Sequence, residues 1–307
     1  MPDKKITSDV TKTFRYEHLV AGLSGGVTST LVLHPLDLIK IRFAVTDGLT
    51  SRPKYKSLWH CGTTVWKLGG IRGLYSGVTP NIVGNGLSWG LYFFYYNTFK
   101  VSLGDGSANP HLTVPKYLLC GCISGSMTLA LTNPIWITKT RLCLEYETQN
   151  QRYRGMTHAL TVLYKEDGFK GLYKGFVPGL VGTSHGAVQF LVYENLKHWY
   201  RDKHGHGVDY KMGAMECILM SAVSKMIAAS STYPYQVVRA RLQDQHQRYN
   251  GVTDVVKKTW KNETWRGFYK GLGANLLRVT PACCITFYMY ESVSHYLIHG
   301  STANKSS

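Results

Sequence analysis

The sequence predicts an all-α membrane protein of six transmembrane helices arranged as three tandem repeats. Three observations predict it. Two short motifs recur three times at intervals of about 100 residues. Six stretches have the length of about 20 residues that spans a bilayer's hydrocarbon core. Positive charge gathers between the two stretches of each repeat rather than along one face.

Composition frames these observations. The 307 residues carry 35 Lys+Arg against 18 Asp+Glu, a net charge of +17, yet charged residues make up only 17% of the chain, below the usual ~25%. With 44% hydrophobic residues, the chain is not intrinsically disordered, a state that needs few apolar groups and many charges. Seven cysteines are too sparse, and odd in number, for a disulfide scaffold, and they show no metal-ligand spacing. A basic chain poor in acids either binds nucleic acid or sits against anionic lipid. Met1–Thr13 has neither an apolar core nor arginine, so it reads neither as a secretory signal nor as a cleavable transit peptide. Any organelle address is expected inside the folded chain.

The first motif is Pro35-Leu36-Asp37-Leu38-Ile39-Lys40-Ile41-Arg42. It returns as Pro134-Ile135-Trp136-Ile137-Thr138-Lys139-Thr140-Arg141 and as Pro234-Tyr235-Gln236-Val237-Val238-Arg239-Ala240-Arg241. The second is Arg72-Gly73-Leu74-Tyr75-Ser76-Gly77, then Lys170-Gly171-Leu172-Tyr173-Lys174-Gly175, then Arg266-Gly267-Phe268-Tyr269-Lys270-Gly271. Tyr55, Tyr153 and Tyr249 each stand 20 residues before the tyrosine of that motif, and Trp66, Tyr164 and Trp260 follow them by 11. A soluble helical solenoid repeats every ~20–50 residues, much shorter than this period. The repeats are bounded at 16–105, 112–202 and 211–299.

Each repeat opens with an apolar span, Leu19–Ile39, Tyr117–Ile137 or Ile218–Val238, and closes with a second, Pro80–Phe99, Pro178–Leu196 or Ala274–Val293. Small residues four apart, such as Gly22 and Gly26 or Gly121 and Gly125, allow close helix approach in lipid. A proline inside a helix removes a donor and clashes with the preceding turn, so the three motif prolines predict kinks that bring Asp37, Trp136 and Gln236 together with Lys40, Lys139 and Arg239. Residues 46–75, 142–175 and 243–271 hold 5, 5 and 6 Lys+Arg, against 2 and 4 in the connections 100–116 and 197–211. Basic loops stay on the inner side of a membrane, which in a mitochondrion is the matrix, so both termini are expected on the opposite side.

Pro-x-Asp-x-x-Lys-x-Arg followed some 40 residues later by the Tyr-x-Gly triplet, three times over, resembles the mitochondrial carrier family across residues 16–297. The resemblance implies a six-helix, threefold pseudo-symmetric carrier bundle with short matrix helices. It implies a place in the inner mitochondrial membrane with both termini toward the intermembrane space, and a monomer that moves cargo by alternating access. It also implies that cardiolipin binds at the matrix helices and glycine turns. Nothing in the sequence supports an enzyme or a metal. A basic nucleic-acid-binding protein is the remote alternative, disfavoured because its charge would cluster on one face rather than in three equivalent loops beside apolar spans; no nucleic-acid partner is expected.

Within the family, the acid of one repeat pairs with the base of the next. Here Trp136 and Gln236 replace two of the acids. One ionic pair, Asp37–Lys139, is therefore expected at the matrix gate, with Arg239 facing Trp136 and Lys40 facing Gln236. The cytosolic gate would comprise Asn97, Lys100, Glu194, Lys197 and Glu291, and is also incomplete.

Pro134-Ile135-Trp136 resembles the branch that carries folate or FAD, pyrimidine nucleotides and NAD. Gly86–Phe94, Thr183–Ala187, Thr232–His246 and Arg278–Phe287 resemble its animal folate/FAD members. The resemblance implies FAD, and also folates, as cargo rather than as a prosthetic group, with pyrimidine nucleotide or NAD as the alternative. Family contact points fall on Gly84, on Val181 and Gly182, and on Arg278. An arginine at mid-helix needs water or a partner and fits phosphate or carboxylate bidentately; the plainer reading is an internal ion pair. Gly84 and Gly182 are expected to leave room for a bulky ring. Lys225 reads as a cargo contact or a snorkelling lysine, His185 as a cavity residue or a packed neutral histidine, and Trp136 as a stacking gate residue or a lipid-side aromatic.

Overall fold

The computed structural model describes residues 16–46, 55–104, 113–146, 152–204, 213–247 and 249–303; the expectation for Met1–Thr13 lies outside them. A long–short–long succession of helices occurs three times. It runs α1 (Tyr16–Val45), α2 (Leu58–Leu74), α3 (Val78–Leu103), α4 (Val114–Cys143), α5 (Met156–Leu172), α6 (Phe176–His204), α7 (Ala214–Gln243), α8 (Val252–Glu263), a 3-10 turn at Thr264–Tyr269 and α9 (Leu272–Ala303). The described residues contain no strand. The long helices run past the spans expected from the sequence at both ends, and the motif prolines Pro35, Pro134 and Pro234 lie inside α1, α4 and α7. Among the described residues, only Pro115–Cys143 is long and apolar enough to cross a bilayer by composition alone.

Two compact units divide the chain: Met1–Leu33 with Thr280–Ser307, and His34–Val279. In the first, α1 approaches α9 closely. A Cβ added to Gly25 would lie 2.8 Å from the Thr286 carbonyl oxygen, and Ser29 Oγ donates to the Ala282 carbonyl at 3.4 Å. This is the close approach that small residues at helical spacing permit.

In the second unit the repeats are tied head to tail by the recurring motifs. Gly77, Gly175 and Gly271 adopt φ values of 80°, 79° and 88°, a left-handed conformation that favours glycine. They also lack room for a side chain. A Cβ would meet the Lys139 carbonyl oxygen at 3.1 Å, that of Arg239 at 3.2 Å and that of Lys40 at 2.8 Å, respectively. Each turn glycine therefore seats the first base of the next repeat, and the third repeat returns to the first.

The last arginine of the motif makes the same circuit. Arg42 Nε donates to Cys143 O at 2.9 Å, Arg141 Nε to Gln243 O at 3.3 Å and Arg241 Nε to Ala44 O at 3.0 Å. All three arginines are buried. Their acids differ. Arg241 is held by both Glu263 oxygens at 3.0 and 2.8 Å, and Arg141 by Asp167 at 2.7 Å. Gly69 stands at the matching place in repeat one, where Arg42 instead bonds the Glu145 carbonyl at 2.8 Å.

The residue before each motif proline closes its own repeat. His34 Nε2 donates to Ser76 O at 2.9 Å, Asn133 Nδ2 to Leu172 O at 2.7 Å and Tyr233 Oη to Lys270 O at 3.1 Å. One further recurrence is conformational. α2 breaks at Gly70 and α5 at Gly168, with φ 56° and 63°. Thr264, with φ 58°, makes the equivalent break after α8.

Candidate functional site

The motif segments of α1, α4 and α7 converge on Asp37, a carboxylate only 5% exposed. Its Oδ2 lies 3.4 Å from Lys139 Nζ and accepts from Asn81 Nδ2 at 3.2 Å. Its Oδ1 accepts from Arg278 Nη1 at 2.6 Å. The expected single ionic pair is thus corrected to two, because α9 brings a second cation to the same acid. A buried carboxylate needs such partners, since desolvation otherwise outweighs what its charge gains. Arg278 is the outer member, with a side chain 37% exposed. Arg278 thus bonds Asp37 through Nη1 without being fully buried itself.

Asn81 organises the back of the cluster. Its amide nitrogen also donates to His34 Nδ1, at 3.2 Å. His34 gives its other ring nitrogen to a carbonyl, so the hydrogen sits on Nε2 and the ring is a neutral spacer in this network. Lys40 Nζ donates to Gln236 Oε1 at 2.7 Å and to Asn275 Oδ1 at 2.8 Å, so a glutamine and an asparagine oxygen stand where an acid would. Arg239 differs from expectation. It donates to Asn133 Oδ1 at 3.2 Å, while the ring of Trp136 lies under Lys139 Nζ, 5.3 Å from its centroid. Trp136 thereby stacks on the cation of its own helix, one turn further along.

The room left by the contact-point glycines is filled by the protein itself. A Cβ at Gly84 would press on Ile135 at 3.2 Å and Trp136 at 3.4 Å, and one at Gly182 would meet the Tyr235 ring at 2.8 Å. These glycines admit Trp136 and Tyr235, not a cargo ring. Val181 is exposed beside them. His185 Nδ1 lies 2.9 Å from Thr232 Oγ1, which anchors α6 to α7. Lys225 is half-buried on α7.

The groups assigned to the cytosolic gate are arranged differently. Glu194 pairs with Lys197 of its own helix at 3.7 Å, and among the described residues no ion pair joins Lys100 to either. On α3, Asn97 is exposed and Lys100 half-buried. The side chain of Glu291 lies outside the described residues. The motif network is therefore joined between repeats, whereas the described part of the second network stays within one helix.

Asn81, Asn133, Asn275 and His34 escaped the sequence reading. A signal existed for two of them. Asn81 and Asn275 stand four residues after the turn glycines Gly77 and Gly271, and Gly179 occupies that place in repeat two. There a Cβ would come within 3.5 Å of Arg239 Cζ. His34 and Asn133 carry their signal only as the residue before a motif proline.

Three repeats joined in a cycle by one motif, around a buried carboxylate shared by two cations, define a three-repeat carrier. Residues 12–107, 110–204 and 210–301 match the family described as mitochondrial carrier protein, and the chain belongs to that family. It is 39% identical over 293 residues to folate transporter 1, chloroplastic, of Arabidopsis thaliana, with 92% of this chain and 95% of the relative covered. It is 34% identical over 307 residues to the mitochondrial FAD carrier protein FLX1 of Saccharomyces cerevisiae, covering 92% and 97%. It is also 38% identical over 304 residues to nicotinamide adenine dinucleotide transporter 1, chloroplastic, of Arabidopsis thaliana, covering 94% of each.

Proposed function

We propose that the chain is a monomeric carrier of the inner mitochondrial membrane that moves FAD, and also folates, from the cytosol into the matrix by alternating access. In this reading the three repeats supply six spans, both termini face the intermembrane space, and FAD is cargo rather than a bound cofactor. The joined motif network is the closed matrix gate, and the separate cytosolic residues are the open entrance.

The observation that carries the reading is the position of Arg278, which bonds Asp37 while its side chain remains 37% exposed. Cargo entering from the cytosol brings phosphate or carboxylate. That anion competes with Asp37 for Arg278: the guanidinium gives Asp37 a single bond, from Nη1 to Oδ1, whereas a free phosphate or carboxylate can take two parallel ones. Once Arg278 turns to the cargo, Asp37 keeps only Lys139 and Asn81. The gate is loosened by the molecule it must pass, which is how a ligand shifts a two-state equilibrium through differential contacts. Relatives named for folate and for FAD support the choice of cargo.

Membrane placement has its own support. Trp66, Tyr164 and Trp260, with Ile71, Phe169 and Trp265, occupy equivalent places on the short helical segments, and each is more than half exposed. Five of these six are aromatic, and tryptophan and tyrosine above all concentrate at membrane–water interfaces. The basic residues of the same segments suit cardiolipin headgroups.

The test is uptake of labelled FAD, folate, NAD and a pyrimidine nucleotide by liposomes holding the purified protein. FAD uptake should be lost in Arg278→Ala, with the protein still inserted. Uptake of NAD alone would favour the second reading, for which the NAD-named relative speaks. Release of the protein into the soluble fraction after detergent-free lysis would overturn both.

A further inference from the structure

Between α3, α4 and α6 lies a cavity of about 660 Å³ whose walls contain no charged side chain. On α3, Trp89 and Tyr92 stand nearly perpendicular, 87° between planes with centroids 6.2 Å apart, and Tyr96 stacks on Tyr92 at 5.9 Å. The facing wall is built of small residues. A Cβ added at Gly186 would meet nothing within 4 Å, so this glycine, unlike Gly84 and Gly182, borders open space. Two hydroxyls complete the lining. Ser88 Oγ and Thr128 Oγ1 are buried and have no hydrogen-bond partner, and Thr128 is only 6% exposed. A buried hydroxyl without a partner is costly. Apolar walls with a few convergent polar groups are the usual make-up of a small-molecule site.

We propose that this cavity seats the fused nitrogen heterocycle of the cargo, the isoalloxazine of a flavin or the pterin of a folate. Trp89 stacks on the face of the ring, Tyr92, perpendicular to it, packs against the ring's rim, and Ser88 and Thr128 bond its edge. A hydroxyl both donates and accepts, which suits ring edges that alternate N–H, bare nitrogen and carbonyl. The inference rests on the reading of the chain as a flavin and folate carrier and adds a site for the ring, apart from the anion that Arg278 takes. It divides recognition in two: the charge works the gate, while the ring selects the cargo.

The probes are riboflavin and 6-hydroxymethylpterin, which carry the rings without phosphate or glutamate. Their binding to the purified carrier in detergent is read by quenching of their own fluorescence. Gly186→Leu fills the open space, and Trp89→Leu removes a stacking face from a side chain that is mostly exposed, so the second variant serves if the first fails to fold. Each should weaken ring binding by about tenfold or more, the lower part of what one aromatic stack contributes. Ser88→Ala combined with Thr128→Val should weaken it as well. Binding of one ring alone keeps the cavity and identifies its cargo. Failure of both rings to bind the wild-type protein, or binding to Trp89→Leu as tight as to wild type, overturns the inference. Neither result depends on uptake, so a wild-type protein that transports neither FAD nor folate would sink the functional reading separately.

Discussion

The last arginine of the motif behaves alike in all three repeats, whereas the acid and the first base do not. Arg42, Arg141 and Arg241 each cross to the next repeat and bond a backbone carbonyl there. A carbonyl is present whatever the local side chain, so this circuit survives sequence divergence. The inner positions depend on side chains. Asp37 collects two cations, Lys40 settles on two amide oxygens, and Arg239 reaches back to Asn133. The outer circuit holds the repeats together and is symmetric. The inner cluster, proposed above as the gate, is not. Symmetry in this protein therefore marks scaffold, and its loss falls on the cluster that the proposed function assigns to cargo.

The largest effect is expected where scaffold is most buried. Arg241 is 2% exposed, and the Glu263 side chain that holds it 7%. Arg241→Leu leaves that carboxylate in a dry place, a change worth about 3–5 kcal/mol. Lys270, 2.8 Å from Glu263, keeps the loss toward the lower end. Thermal unfolding in detergent should fall sharply, and Arg241→Lys should recover little, since one ammonium cannot reproduce the four directed bonds of the guanidinium to Ala44, Thr259 and Glu263. Wild-type stability in Arg241→Leu would remove the distinction between the circuit and the cluster.

Next comes Asp37→Asn. It leaves Lys139 and Arg278 pointed at a neutral amide and should cost the closed gate about 3 kcal/mol, the lower figure for breaking a buried pair. Uptake should be lost along with part of the thermal stability. A charge swap, Asp37→Lys with Lys139→Asp, sharpens the point. It would restore a simple pair, but here it sets a second cation against Arg278, so little uptake should return. A swap that recovers most of the wild-type rate would mean that Arg278 does not share the acid.

Most of the frame was legible in the sequence because it recurs. The turn glycines, the motif arginines and the three-repeat order are each stated three times, and any one copy explains the others. The inner cluster was legible only where it followed the family pairing, as with Asp37 and Lys139 or Lys40 and Gln236. For Arg278 the sequence offers only an internal pair with no named partner, because its acid lies 241 positions away with no local pattern to announce it. Gly84 and Gly182 misled for a related reason. A glycine shows that space is needed, and only the fold shows whether a ligand or the protein's own Trp136 and Tyr235 will use it.

A smaller effect of opposite sign is expected at the break after α8. Gly70 and Gly168 make this break in the other repeats, but Thr264 makes it with φ 58° and ψ −158°, a region nearly reserved for glycine and costing about 1–3 kcal/mol for other residues. Thr264→Gly should therefore stabilise the protein. The greater freedom of glycine in the unfolded chain takes back about 0.5–1 kcal/mol. Gly168→Thr should do the reverse in repeat two. If Thr264→Gly lowers the unfolding temperature, the hydroxyl bond from Thr264 Oγ1 to the Glu263 carbonyl, 2.6 Å long, outweighs the backbone strain.

The smallest effect tests the half-open member of the arginine circuit. Asp167 lies 2.7 Å from Arg141 and 3.0 Å from Lys174, with its side chain 23% exposed. Burial pushes its carboxyl up, but hydrogen bonds from Arg141 and Lys174 and their charges outweigh burial and hold it below the ordinary carboxylate value. A carboxyl whose folded value is depressed stabilises fully above its unfolded value, about pH 4. It loses that contribution as the pH falls through the folded value. Asp167→Asn should thus lower the unfolding temperature by a constant small amount from neutral pH down to about pH 5, equivalent to roughly 1 kcal/mol or less for so open a pair. Below about pH 4 the two proteins should converge, because the wild-type carboxylate is then being protonated as well. A gap that widens toward acid would mean that the neutral acid, rather than its charge, is what Arg141 requires at this place.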